Sequence, residues 1–360
     1  MTLFLKKRPT WLAFLLSFLG ISSCQVDDFS IPCDATIPSG LLEQHIRGMS
    51  VVAAQSPIQG APMQKLHQLG VNSVSLMPYC YYTPGDPTID ETSRCVDPMC
   101  PHGPSVRAAV LEGLQRAKSE NLAVMIKPQL WAMEEWVGHL TFSTEQEWHT
   151  FEQNYTNFLM EWVRIAASNQ VEYFCIGTEL RHFVAQRPNY WRGLIAQIRT
   201  IYAGELTYAA NWDDYQEVSF WEDLDYVGVD AYFPLDRKAV PTVCALQEAW
   251  APYKEELAAY SKAQQTPILF TEFGYLSVKG AAYNTWTLEE RIHETMVSEE
   301  AQANALQALL VELSQETWWV GGFQWKWYAD AISAKCEWDL NRDYTPENKK
   351  AEEVLRLLYQ

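Results

Sequence analysis

The sequence predicts an α/β fold, a single closed (β/α)8 (TIM) barrel, and three observations carry that expectation. Short β-type runs alternate with longer segments of helical periodicity from Ile46 onward, and eight strand candidates can be counted. Several of them are continuous apolar runs, such as Val74-Ser75-Leu76-Met77 and Ile268-Leu269-Phe270, which suits parallel strands buried on both faces. No Gly-x-Gly-x-x-Gly turn follows the first strand, so the rival doubly wound sheet lacks its usual phosphate-binding mark.

The N-terminal elements come first. Lys6, Lys7 and Arg8 precede an apolar run from Trp11 to Leu19, and Ile21-Ser22-Ser23-Cys24 follows. That run is shorter than the roughly 20 residues a helix needs to cross the bilayer, and its basic flank and small residues are those of an export signal. The Ile21–Cys24 segment resembles a bacterial lipobox. Residues 1–23 thus read as a lipoprotein signal peptide and Cys24 as the lipid anchor, with ordinary cleavage and a free or disulfide-bonded Cys24 as the competing reading. Residues 24–40 form a polar, turn-prone tether, and residues 41–360 the barrel. The expected location is the periplasmic or cell-surface face of a bacterial envelope membrane, with membrane contact only through the lipid.

Within the barrel the strand candidates are Ile46–Val52, Ser73–Met77, Ala123–Lys127, Tyr173–Gly177, Leu206–Asn211, Tyr226–Val229, Ile268–Thr271 and Trp319–Gln324. Helical spacing is clearest at Val106–Glu120, Glu145–Ser168, Tyr190–Tyr202, Leu246–Gln264 and Glu299–Glu316, and the stretch between the fifth and sixth strands is too short for a full helix.

A net charge of −18 excludes a nucleic-acid or anionic-lipid surface in the absence of a basic cluster. It is compatible with a neutral polymer. The 15 Trp and 18 Tyr exceed what a core of this size requires, and surplus aromatics line grooves. Setting Cys24 aside, seven of the eight cysteines remain, so at least one thiol is expected unpaired. Cys175 lies in an apolar strand as a small hydrophobe, while Cys95 and Cys100, with Cys80 before them, suit a loop staple better than a zinc site, for which no paired Cys-x-x-Cys is present.

The catalytic groups of such a barrel stand at the carboxyl ends of its strands. Ile176-Gly177-Thr178-Glu179 ends the fourth and Phe270-Thr271-Glu272-Phe273-Gly274-Tyr275 the seventh. Strands four and seven face each other across the mouth, where two carboxyl groups about 5 to 5.5 Å apart would cleave a glycosidic bond with retention. An isolated glutamate there is more often a rim charge or a partner for an arginine such as Arg181. Lys127, Gln129 and Trp131 follow strand three, Asn211 and Trp212 strand five, Asp230 and Tyr232 strand six, and Trp325, Lys326 and Trp327 strand eight. Indoles stack on sugar rings while Lys, Asn and Gln hydrogen-bond hydroxyls, which makes Lys127, Trp131, Asn211, Trp212 and Trp325 candidate substrate contacts. Trp325 as core filling is the alternative. Tyr232 is a candidate to hold Glu272, Asp230 reads as structuring the strand-six turn, and Glu134-Glu135 and Asp213-Asp214 read as solvated loop.

Gly177-Thr178-Glu179, Thr271-Glu272-Phe273-Gly274-Tyr275, Ile126-Lys127-Pro128, Tyr226 to Tyr232 and Gly322-Phe323-Gln324-Trp325 together resemble clan A glycoside hydrolases, most closely glycoside hydrolase family 113, over about Ile46 to Tyr328. That resemblance implies a retaining endo-β-1,4-mannanase with Glu179 as acid/base, Glu272 as nucleophile and no metal or organic cofactor. Thr178 departs from the Asn that many clan A enzymes place before the acid/base to bind the sugar 2-hydroxyl, leaving Asn211 or Lys127 to supply that contact. The expected partner is a polysaccharide or oligosaccharide, and the expected state a monomer. The alternatives are a non-catalytic surface glycan-binding lipoprotein on the same barrel and a hydrolase of another β-linked polymer.

Overall fold

Strand β1 (Ile46–Val52) pairs in parallel with β2 (Ser73–Leu76) on one side and β8 (Trp319–Tyr328) on the other. Between them run β3 (Ala123–Ile126), β4 (Tyr173–Thr178), β5 (Glu205–Asn211), β6 (Val227–Asp230) and β7 (Ile268–Phe273), each beside its neighbour in sequence, so the sheet closes. The computed structural model describes residues 38, 40–52, 57–90, 107–132, 135–329 and 339–360. The signal segment, Cys24, most of the tether, Cys95, Cys100 and Glu134 lie outside the described residues. No helix of the described residues is long and apolar enough to cross a membrane.

The eight-strand parallel barrel is the one expected, with shifted strand ends. β7 runs on through Glu272 and Phe273, and β8 on to Tyr328, because backbone pairing continues where the side-chain pattern has turned polar: Glu272 pairs with Asp230, and Val52 with Tyr328. A second sheet that periodicity did not show joins Tyr79–Tyr82 to Ile89–Asp90 and Gln129–Ala132 above strands two and three.

Helices α1 (Pro62–Leu69), α2 (Arg107–Ser119), α3 (Glu145–Ser168), α4 (Arg181–Gln186), α5 (Pro188–Arg199), α6 (Val243–Gln264), α7 (Thr285–Glu289), α8 (Glu299–Leu313) and α9 (Lys350–Tyr359) accompany the barrel. Thr144 and Glu147 cap α3 reciprocally, and the Thr242 and Ser298 hydroxyls accept backbone N–H groups at the starts of α6 and α8, which satisfies donors a helix start would otherwise leave bare. As expected, only the short 3-10 turns Tyr215–Glu217 and Trp221–Asp223 separate β5 from β6.

Two layers of apolar packing hold the architecture. Outside, Leu306, Leu309 and Leu313 of α8 and Trp250 of α6 are fully buried against the sheet, each such side chain being worth about 1.5–3 kcal/mol relative to exposure. Inside, Met125, Cys175, Ala209, Leu269 and Phe323 fill the barrel. Cys175 is a buried free thiol, pushed up to about 11 by burial, and Cys244 is disulfide-bonded.

Gly228 belongs to this interior. A Cβ on it would stand 2.0 Å from the Tyr208 carbonyl oxygen and 2.4 Å from Thr207 Oγ1, and the carbonyl, being backbone of β5, cannot withdraw without disturbing that strand. Gly228→Ala is expected to lower stability by about 1–3 kcal/mol through overpacking, read as a fall in denaturation midpoint. An unchanged midpoint would contradict this packing.

Candidate active site

The inner apolar layer sets the floor on which charged groups stand. Met125 points into the barrel, and two residues further, on the same face, comes Lys127. Glu272 would face away from Leu269 by simple alternation, but the β6–β7 register shifts between Phe270 and Glu272. A bulge there re-aims the next side chain, and Glu272 turns inward. The β4–β5 register also shifts, between Cys175 and Thr178. Glu179 follows at φ +53°, a left-handed conformation that costs a non-glycine residue of order 1 kcal/mol and is held here by its N–H donating 2.8 Å to the Ala209 carbonyl.

Three donors converge on Glu272. The Lys127 ammonium donates to Oε1, Gln129 Nε2 donates to the same oxygen at 3.1 Å, and the Tyr232 hydroxyl donates to Oε2 at 2.8 Å. Tyr232 therefore stands where it was expected. Lys127 lies deeper than a wall residue: its side chain is completely buried between Glu272 and Asp230, 3.7 Å from Asp230 Oδ2, so the structure turns it to the carboxylates. Burial opposes its charge, but Asp230 and Glu272 outweigh burial and hold the ammonium above its ordinary value. Asp230 is a buried member of this group, not a turn residue. Its Oδ1 accepts from Thr271 at 2.7 Å, and burial, with the Glu272 charge, pushes its carboxyl well above the usual range against the pull of Lys127.

Glu179 is differently placed. Its Oε2 accepts a 2.8 Å bond from the Trp136 indole, and among the described residues no cation is paired with it. Burial pushes its carboxyl up to about 7. The Trp136 bond and Lys127 pull downward, while the Glu272 and Asp214 charges add to the rise. Arg181 does not neutralise it. The guanidinium pairs instead with Asp213 and, at 2.6 Å, with Asp214, which is buried and not the solvated loop residue its context suggested.

Both glutamates line one cleft of about 730 Å³ at the strand ends. Trp131, Asn211, Trp212, Tyr232 and Trp325 line it too, so of the sequence-derived site residues within the described part only Lys127 is withdrawn from its wall. Trp131, at the second sheet, is half exposed and edge-on to Tyr79, and Trp212 stacks at 5.8 Å on Trp286 of α7, giving two aromatic surfaces. Asn211 Oδ1 accepts from the Trp212 N–H at 2.9 Å, and Thr178 brings a buried hydroxyl with no partner among the described residues. Trp136 and Tyr344, outside the strands and helices, and Trp286 and Glu289, in the five-residue α7, were not legible as site residues because neither an apolar run nor a sustained periodicity marks their position. Glu289, its carboxyl pushed up by burial against the pull of Lys326, accepts from Tyr344 at 3.4 Å. Among the described residues no group of three His, Cys, Asp or Glu is arranged to hold a metal ion.

Chemically, such a cleft presents a charge-paired carboxylate with both oxygens oriented and a second carboxyl that exchanges its proton near neutrality. The model of Glycoside Hydrolase Family 113 matches residues 62–349. Among solved structures, the chain is similar to the GH113 β-mannanase AaManA from Alicyclobacillus acidocaldarius in complex with ManMIm, at 24% identity and TM-score 0.71, covering 88% of this chain and 98% of that one. It is similar to another GH113 β-1,4-mannanase at 22% identity and TM-score 0.71, covering 88% and 99%. A β-glucuronidase from Faecalibacterium prausnitzii shares the fold at 15% identity and TM-score 0.57, over 87% of this chain and 48% of that one. No curated protein sequence matches.

A carboxyl raised from 4.5 to about 7 on folding binds its proton more tightly in the native state. The stability it contributes is complete below pH 4.5 and is lost as the pH rises through 7. Glu179→Gln removes that dependence. The variant is expected to melt above wild type at pH 8, with the difference shrinking toward pH 4. A difference independent of pH would contradict the raised value.

Proposed function

The chain belongs to glycoside hydrolase family 113, and from that premise we propose that it is a retaining endo-β-1,4-mannanase acting at the bacterial cell envelope. One observation carries the proposal: a single cleft holds two glutamates, one paired with an ammonium and the other protonated up to about pH 7. Opposed environments for two carboxyl groups assign the roles of nucleophile and acid.

In the first displacement Glu272 attacks the anomeric carbon as the glycosidic C–O bond breaks, and Glu179 passes its proton to the departing oxygen. Lys127, Gln129 and Tyr232 hold Glu272 in line. In the second, Glu179, now ionised, takes a proton from water, whose oxygen displaces Glu272 from the anomeric carbon. General acid–base assistance of this kind contributes about 10²- to 10⁴-fold. Trp131 on one side and Trp212 with Trp286 on the other supply apolar faces for neighbouring sugar rings. The acidic net charge and acidic cleft lining favour an uncharged polymer, and the likeness in fold to GH113 β-mannanases supports mannan. The lipobox-like segment ending in Cys24 supports attachment to an envelope membrane.

The test is reducing-end release by the soluble body, begun after Cys24, on mannan, glucomannan, xylan and cellulose, with Glu272→Gln alongside. Mannan is expected to be cleaved to oligosaccharides by wild type, and the variant to lose at least about 10³-fold while staying folded, since a nucleophile acts as a unit with its partners. Cleavage by the variant at the wild-type rate would sink the assignment. For location, Cys24→Ala is expected to move the full-length protein from the membrane fraction to the soluble one. Retention on the membrane would refute the anchor.

A further inference from the structure

The surroundings of Trp136 form a built arrangement that the two-glutamate chemistry does not by itself require. Its indole N–H is on Glu179 Oε2 at 2.8 Å. The Arg181 guanidinium lies over one of its faces, 4.8 Å from the ring centroid. That guanidinium cannot turn away, because Nε is on Asp214 at 2.6 Å and an Nη on Asp213. The indole is confined by its own 3-10 turn as well: a Cβ at Gly138 would stand 2.4 Å from its benzo carbons, and His139 meets it edge-on at 5.3 Å. His182, from α4, packs in turn against His139 at 5.8 Å.

We propose that Arg181, clamped by Asp214 and Asp213, is a positioning residue that works through Trp136: stacked on the indole, it fixes the N–H on Glu179 Oε2, leaving the other carboxyl oxygen to face the glycosidic bond. This rests on the reading of Glu179 as the acid/base. Two physical effects run the same way. A cation over the π face draws electron density from the ring, which makes the indole N–H a better donor, and the stack removes the rotational freedom the indole would otherwise lose on bonding. A donor to the charged form of a carboxyl favours that form. The stack therefore opposes the burial of Glu179 and keeps its proton exchangeable. A carboxyl without it would hold its proton more firmly and be a weaker acid toward the departing oxygen in the first displacement.

Other charges face Glu179, and the test must separate them from the stack. Glu272 and Asp230 raise the cost of its ionisation and Lys127 lowers it, all from the barrel floor, while Asp214 acts from behind Arg181. His139 and His182 stand beyond the indole. Removing Arg181 alone would leave Asp214 buried and unpaired, so the informative variant is Arg181→Gln/Asp214→Asn, which deletes both charges together and cancels their direct fields while abolishing the clamp. Trp136→Phe keeps a ring under Arg181 and deletes the N–H.

The experiment is the pH profile of kcat/KM on soluble mannan for wild type, Trp136→Phe, Arg181→Gln/Asp214→Asn, Arg181→Lys and the combined triple variant, each checked for folding by its melting curve. The expected result is that the alkaline limb moves upward by about one pH unit in Trp136→Phe, by a smaller amount in the charge-deleted pair, and no further in the triple variant, because Arg181 acts only through the indole. Arg181→Lys, which keeps the charge and the carboxylate pairing but not the planar stack, lies between wild type and the pair. An alkaline limb unmoved in the pair, or shifts that add in the triple variant, would overturn the proposal while leaving Glu179 as acid. An unmoved limb in Trp136→Phe would overturn it as well, and full activity of Glu179→Gln in the same assay would place the failure in the acid/base assignment itself.

Discussion

The site depends on one buried ammonium. Lys127 stands where three inward-facing strand ends meet, and without its positive charge Glu272 and Asp230 would be two carboxyl groups in a water-poor barrel mouth with no cation between them. Removing one partner of such a buried group typically costs about 3–5 kcal/mol because it strands the other charge. The ammonium thus has two consequences. It makes a charged Glu272 tolerable in a packed barrel, and through the field it casts on Glu179 it tempers the rise that burial imposes on that carboxyl. Asp230, with its carboxyl pushed upward, completes the balance on the far side.

The barrel was legible because its signals are local and repeated. Parallel strands buried on both faces read as apolar runs, and amphipathic helices read as periodicity, so Val74–Met77 or Glu145–Ser168 could be placed with no knowledge of what they touch. Glu179 and Glu272 were legible for a related reason: an ionisable residue directly after an apolar strand stands out. Their facing was not legible. Alternation alone points Glu272 away from the barrel interior, and only the register shift beside it, a property of two strands together, turns it in. The direction of Lys127 was missed likewise. At a strand end it has the composition of a sugar contact, and its burial depends on acidic residues that arrive from β6 and β7.

The loops hid most. Trp136 donates to Glu179, Trp286 extends an aromatic wall and Glu289 occupies the cleft edge, yet the first lies in a loop and the other two in an α7 too short to show periodicity. Asp213 and Asp214 looked like solvated surface because adjacent acids usually are. What separates them from that expectation is Arg181, which draws one of the two out of solvent. Where chemistry is set by the meeting of distant loops, composition names the residue types and tertiary contact assigns the task.

As nucleophile, Glu272 would donate an oxygen lone pair to the anomeric carbon, and the bond so formed can be caught directly. Incubating the protein with an activated β-mannoside carrying fluorine at the 2-position slows both displacements, and a good leaving group restores the first. Intact mass followed by peptide mapping should then show one fluoroglycosyl group esterified to Glu272, absent in Glu272→Gln. Release of the leaving group with no adduct, or an adduct on another carboxyl, would contradict the assignment of the nucleophile and with it the role given to the buried lysine.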